Sequence, residues 1–186
     1  MLRLFIAISL TLLAAFSLAP PAFAFENENL LIAMPKGYKP DYNAKNPRSL
    51  ITEMVPQNQS VKNWSEMLTV QVFFRSKQTP DAFRERIAQD WAKACKGSSL
   101  HPLAQGQENG YAFAVFMLAC PRNPKTGQPE WTWFKAIQGN DSFYVVQKAF
   151  RFEPARLEII EWTRYLKGVK VCDTRGTEHR CPAGVK

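Results

Sequence analysis

Three apolar runs separated by short turn sequences constrain this chain more than any other feature: YAFAVFMLAC (residues 111–120), WTWFKAI (131–137) and SFYVVQKAFRF (142–152). The first has almost no polar side chain, so as a strand it must be buried on both sides or nearly so. The third alternates. Phe143, Val145, Gln147 and Ala149 share one face, and Tyr144, Val146, Lys148 and Phe150 share the other. PRNPKTGQPE (121–130) and QGND (138–141) supply Pro, Gly, Asn and Asp where the chain has to reverse. Strands joined in succession by such turns predict an antiparallel meander.

Upstream, LITEMV (50–55) and MLTVQVFF (67–74) read as a reversed strand pair across the loop PQNQSVKN (56–63). NLLIAM (29–34) is expected as a short strand or a helical turn. PKGYKPDYNAKNPRS (35–49) is expected as a turn-rich polar loop. A helix start follows at Thr79, a good N-cap, with Pro80 at the first helical position and Asp81 in the first turn. Phe83, Ile87, Trp91 and Ala94 recur at helical spacing, so the helix runs from 80 to about 95 and stops at Lys96-Gly97. A short strand is expected around His101 to Leu103. Pro154 opens a second helix, ARLEIIEWTRYLKG, stopped by Gly168. Its apolar stripe is broad, taking in Leu157, Ile160 and Arg164 with the set Ile159, Trp162 and Leu166. VKVC (169–172) then reads as a short edge strand.

The expected order is β-β-α-β-β-β-α-β, with one more strand near residue 100. That order predicts an α+β domain in two layers, a curved antiparallel sheet with both helices packed on one face. No repeat or domain linker interrupts it.

The amino end narrows the setting. Residues 1–24 carry one basic side chain, Arg3, an uncharged stretch rich in Leu, Ile, Ala and Phe, a Pro20-Pro21 break, and Ala22-Phe23-Ala24. This is the pattern of a signal peptide cleaved before Phe25. The expected organisation is therefore a leader, 1–24, and a single domain, 25–186, placed in the periplasm or secreted with no membrane anchor after cleavage. All four cysteines, Cys95, Cys120, Cys172 and Cys181, lie in the domain, and export makes two disulfides the expected state. Of the three possible pairings, Cys95–Cys120 and Cys172–Cys181 are preferred. The first ties the end of a helix to the end of a strand, and the second closes the short loop around Gly176. No C-x-x-C pair offers a metal site.

The full chain has 24 Lys and Arg against 16 Asp and Glu, a net charge of +8. A basic balance favours anionic surfaces such as membranes, cell-wall polymers or nucleic acid. The basic residues are scattered, as on an ordinary solvated surface.

Chemistry-bearing residues are sparse. His101 and His179 are the only histidines, and neither sits in a catalytic motif. No G-x-S-x-G elbow, P-loop or dinucleotide loop exists. Glu53, Glu66 and Glu130 are acids in unusual contexts, and Asp141 belongs to a turn. No catalytic, cofactor or metal-binding residue is assigned. The aromatics allow a binding face, with Trp131, Trp133 and Lys135 on one strand and Tyr144, Lys148 and Arg151 on its neighbour. Such a face could stack on sugars or bases. Core packing against Trp91 and Trp162 is the favoured reading for most of them. Trp131 and Trp64 are left as candidates for exposure. Asn58 and Asn63 match the glycosylation acceptor pattern and are assigned no role.

The phrase TEMVPQNQSVKNWSEMLTVQVFF (52–74) resembles small uncharacterised exported proteins of Gram-negative bacteria. The order of elements is similar to that of Mog1/PsbP-like domains, a likeness of shape that carries no site residues. The functional expectation is an exported, basic, non-enzymatic protein that binds an envelope component or another protein. The alternative is a secreted hydrolase acting on an anionic polymer, which requires a histidine to converge with an acid inside a cleft. The partner expected is an envelope protein or an anionic polymer.

Overall fold

The computed structural model describes residues 27–182. The expected leader, 1–24, and its cleavage point lie outside them. The elements are β1 (Glu28–Leu31), β2 (Tyr38–Lys45), β3 (Ser49–Pro56), β4 (Glu66–Phe74), α1 (Pro80–Ala94), β5 (Ser99–Glu108), β6 (Tyr111–Cys120), β7 (Glu130–Gln138), β8 (Ser142–Phe150), α2 (Arg156–Gly168) and β9 (Lys170–Asp173).

Seven strands form one antiparallel sheet in the order β2-β3-β4-β8-β7-β6-β5. The meander β6-β7-β8 is present, with Phe116 opposite Phe134 and Ala136 opposite Val145. The reversed pair β3-β4 joins it through β4 and β8. Helix α1 starts as its sequence requires, the Thr79 hydroxyl accepting from the Ala82 N–H at 3.2 Å. β4 and β5 run in the same direction but lie four positions apart, so the chain between them must cross the sheet, and α1 makes that crossing over β5, β6 and β7.

The expectation that both helices share one face is corrected. Phe83 of α1 packs on Phe116, Phe134 and Phe143 from one side. Trp162 and Leu166 of α2 join Leu68, Trp133, Tyr144, Val146 and Phe150 in a separate cluster. Neighbouring residues of β8 alternate between these two clusters, so the helices lie on opposite faces of the sheet. The physical reason was already present in β6, whose side chains are apolar on both faces and need cover on both.

Three further expectations change. The polar segment 35–49 is not a loop throughout, because Tyr38–Lys45 pairs with β3 as an edge strand. The strand near residue 100 is ten residues long and forms the opposite edge. Each edge strand carries a proline and a register shift, at Pro40/Tyr42 and at Pro102/Ala104. These irregularities discourage edge-to-edge pairing. In α2 only Trp162 and Leu166 are buried, with Ile159 and Tyr165 partly so, while Leu157 and Ile160 are exposed.

β9 does not extend the main sheet. It pairs with β1 in a two-stranded sheet of its own. Glu28, at the start of β1, places its carboxylate on the β7–β8 turn. It accepts from the backbone N–H groups of Asn140 (2.5 Å), Asp141 (3.2 Å) and Ser142 (3.2 Å) and from the Tyr144 hydroxyl (2.9 Å). Both disulfides form as preferred, Cys95–Cys120 between the end of α1 and the end of β6, and Cys172–Cys181 closing the loop after β9.

Candidate functional site

The residues that suggested an exposed aromatic and basic face form a core wall instead. Trp133, Lys135, Tyr144 and Lys148 are buried on the α2 side of the sheet, and Trp131 is partly buried against the same cluster. Favoured core packing is therefore what the structure has. Lys148 has no exposed surface. Its Nζ donates to Glu66 Oε2 at 2.8 Å and to the Tyr38 hydroxyl at 2.5 Å, and lies 4.1 Å from the Trp162 ring centroid. Burial pushes this amine down to about 8, against the opposing pull of Glu66. Burial also opposes ionisation of Glu66, but the hydrogen bond and charge of Lys148, with the Tyr38 hydroxyl, outweigh it and hold the carboxyl below its ordinary value. Lys135 is the second buried lysine. It donates to Glu108 at 2.5 Å and to the Val169 carbonyl at 2.6 Å, and burial lowers its amine too.

A cavity of about 260 Å³ opens beside Lys148, lined by Tyr38, Glu66, Glu158, Glu161, Trp162 and Tyr165. Most of its polar groups are already engaged. Tyr38 and Glu66 hold Lys148, Tyr165 donates to the Ala33 carbonyl, and Glu158 accepts from the Ala155 N–H at the start of α2. This arrangement fastens α2 to the sheet and leaves little for a ligand.

The other sequence candidates are dispersed. His101 lies on the exposed edge strand β5 and meets the Ser99 hydroxyl at 2.9 Å. His179 sits in the Cys172–Cys181 loop. Its Nδ1 donates to the Asn109 carbonyl at 2.8 Å, and its ring tilts against Tyr111 at 4.4 Å. Burial raises the carboxyl of Glu53, which faces Tyr42 and Thr69 across the ladder. Glu130 accepts from the Asn123 amide at 2.7 Å and lines a cavity of about 180 Å³ beside the Cys95–Cys120 bridge. Asp141 pairs with Arg175 at 2.7 Å. Among the described residues no cluster of His, Cys, Asp or Glu has the geometry to hold a metal ion.

A different cavity, of about 440 Å³, has the unengaged groups. Two loops at one end of the sheet build it. The β3–β4 loop contributes Asn58, Gln59, Asn63, Trp64 and Ser65, and the β6–β7 loop contributes Thr126 and Gln128. Arg151, just past β8, lies between them. Each loop is held by its own polar contacts. Gln59 accepts from the Ser65 N–H at 2.7 Å and donates to the Ser65 hydroxyl at 2.9 Å. Asn123 accepts through its side chain from the Lys125 N–H at 2.9 Å and through its backbone carbonyl from the Gly127 N–H at 2.7 Å.

The Arg151 guanidinium lies 3.8 Å from the Trp64 ring centroid and donates to the Trp64 carbonyl at 3.3 Å. Its Nε is buried and has no partner among the described residues. The side-chain amides of Asn58, Asn63 and Gln128 are likewise unengaged by any described residue. Among the described residues, Arg151 is the only charged group on the wall. Three amides and a guanidinium stacked on an indole, around an open cavity, supply paired donors and acceptors together.

The sequence singles out Trp64, just after the loop 56–63, and Arg151, on the face shared with Lys148, but does not join them. The signal that could have joined them was the amide-rich run QNQSVKN before Trp64. The two asparagines of the glycosylation pattern line this same cavity. No family model matches the chain, and no curated protein matches it significantly.

Proposed function

We propose that the protein is exported to the periplasm or beyond and acts as a non-enzymatic binding protein, taking a carbohydrate component of the envelope in the Trp64 cavity. The observation that carries this reading is the set of unengaged Asn58, Asn63 and Gln128 amides beside the Trp64–Arg151 stack. Sugar hydroxyls need paired donors and acceptors, which amides provide, and the apolar face of a pyranose stacks on an indole. A carboxylated sugar would also meet Arg151. The sequence of residues 1–24 and the two disulfides support export. The hydrolytic alternative has less support. His101 is on an exposed strand edge, His179 is bound to a backbone carbonyl, and neither lines the cavities described above.

The test is a tryptophan-fluorescence titration of the oxidised protein with solubilised cell-wall glycan. Trp64→Ala should weaken binding by about 10–100-fold, the worth of one aromatic stack. Asn63→Ala should weaken it less. Binding that survives Trp64→Ala unchanged, or no binding by the wild type, refutes the proposal.

A further inference from the structure

Helix α1 lies over β5, β6 and β7, and its cover ends at β8. Phe143 and Val145 of β8 have no exposed surface, whereas Gln147, next on the same side, is half-buried. Beyond it this face runs on across β4, β3 and β2 with no helix above it among the described residues, because α2 packs on the other side. The strand register sets the side chains in rows. Gln147 lies beside Thr69, Thr69 beside Glu53, and Glu53 beside Tyr42. Gln71 and Ile51 start the next row. Glu53, Ile51 and Gln71 are half-buried, and Tyr42 is exposed. Gln147 donates to Gln71 at 2.9 Å, which leaves each amide with a further N–H to donate. Glu53 accepts from no described residue, although burial already raises its carboxyl.

The Trp64 cavity stands at one end of this face. The Arg151 N–H donates to the Ser65 carbonyl at 2.8 Å, which carries the β4–β8 pairing one step further. The Arg151 side chain therefore falls on the side of Ala149 and Gln147. From Arg151 to Gln147 is about 13 Å along the strand, with only the small Ala149 between them on that side. We propose that the glycan held at Trp64 is a chain of several sugars, which leaves the cavity over Ala149 and runs along the open face onto Gln147, Gln71 and Glu53. This rests on the reading of the Trp64 cavity as a glycan site. The chemistry of the face selects a polyhydroxyl chain. Glu53 is the one charge on the two rows. Arg84 reaches Gln105 of β5 from one flank of α1, so the flank toward β8 carries Arg86, Asp90 and Lys93, of both signs. No field of one sign draws a polyanion here. A protein partner would have to desolvate Glu53 and both glutamines to reach Ile51 and Phe73. Sugar hydroxyls meet the amides as donors and acceptors at once, and two neighbouring hydroxyls match the two oxygens of Glu53.

The experiment is isothermal titration calorimetry of the oxidised protein with cell-wall glycan fragments fractionated by size, two sugars and six sugars long. Wild type should bind the six-sugar fragment at least about tenfold more tightly, the worth of two or three added hydrogen bonds. Gln147→Ala and Glu53→Gln should each weaken the six-sugar fragment by about 3–10-fold, with the circular dichroism spectrum unchanged, and leave the two-sugar fragment as it was. Trp64→Ala should weaken both. Equal affinity for the two lengths would overturn the extended path and leave the Trp64 cavity as the site. So would a six-sugar affinity untouched by Gln147→Ala and Glu53→Gln. Binding of neither fragment would overturn the glycan reading and this path with it. A dimer in light scattering that Tyr42→Ala dissociates would also overturn the path, because a second copy would then occupy the face.

Discussion

Glu66→Gln and Lys148→Met perturb one buried pair from opposite ends, and their consequences should be very unequal. Glu66→Gln removes the carboxylate 2.8 Å from an ammonium with no exposed surface. Lys148 then keeps the Tyr38 hydroxyl and the rings of Phe150 and Trp162, at 4.3 and 4.1 Å. Leaving a buried charge without its counter-ion costs about 3–5 kcal/mol. Deprotonation sets the ceiling: bringing an amine of ordinary value 10.5 to neutrality at about pH 7 costs about 5 kcal/mol. In a domain of this size that lowers Tm by roughly 6–20 °C.

Lys148→Met instead removes the charge that is costly to bury. It leaves a Glu66 side chain that is 25 % exposed and can take up water. Methionine fills similar volume and packs well against aromatic rings. The expected change is within about 1.5 kcal/mol of wild type, in either direction. Equilibrium urea unfolding with the disulfides intact measures both variants. Lys148→Met proving as damaging as Glu66→Gln would refute the reasoning, because it would make the ion pair a net source of stability.

The same pair predicts a pH profile. Burial pushes the folded Lys148 amine down to about 8, below its unfolded value of 10.5. Between these values the unfolded chain holds more protons, so stability rises with pH, by about 2–3 kcal/mol if this group acts alone. Burial also raises the hydroxyls of Tyr38, Tyr111 and Tyr144, and pushes Tyr165 up to about 12. Above about pH 10 the folded chain holds the extra protons, and stability falls. Thermal unfolding followed from pH 7 to 11 should show a rise and then a decline. In Lys148→Met only the smaller rise from Lys135 should remain, and an unchanged rise would assign the effect elsewhere. Removing Cys95–Cys120, which spans 25 residues, should cost about 3.5 kcal/mol, and removing Cys172–Cys181, which spans 9, about 2.6 kcal/mol. Urea midpoints of the paired serine variants rank them, and the reverse order would show that loop length does not govern the gain. Gly139→Ala places a Cβ against the Glu28 carboxylate and 2.8 Å from the Ser142 carbonyl. It should free the start of β1, cost about 1.5–3 kcal/mol, and speed amide exchange in Asn29–Leu31. Exchange at the wild-type rate would mean that Glu28 does not hold the strand.

What the chain disclosed by itself was local. Thr79-Pro80 starts a helix through groups within four residues, and the alternation in 142–152 shows which side chains share a face. The cysteine pairing followed from which element ends a bridge could join. Those features depend on short-range geometry, which the order of residues carries directly. The polar strand β2 was missed because its residues belong equally well to turns, and pairing with β3 is what makes them a strand. The choice of faces for α1 and α2 depends on cover for both sides of β6, a requirement visible in YAFAVFMLAC but met only when the strands are placed in order. The destination of Lys148 was hidden for the same reason. A lysine in an alternating strand reads as a surface residue until α2 closes over it and Glu66 and Tyr38 arrive from other strands. Trp64 and Arg151 come together across 87 residues of sequence. Only the tertiary structure could bring them together, because no local propensity connects a loop before β4 to the residue just past β8.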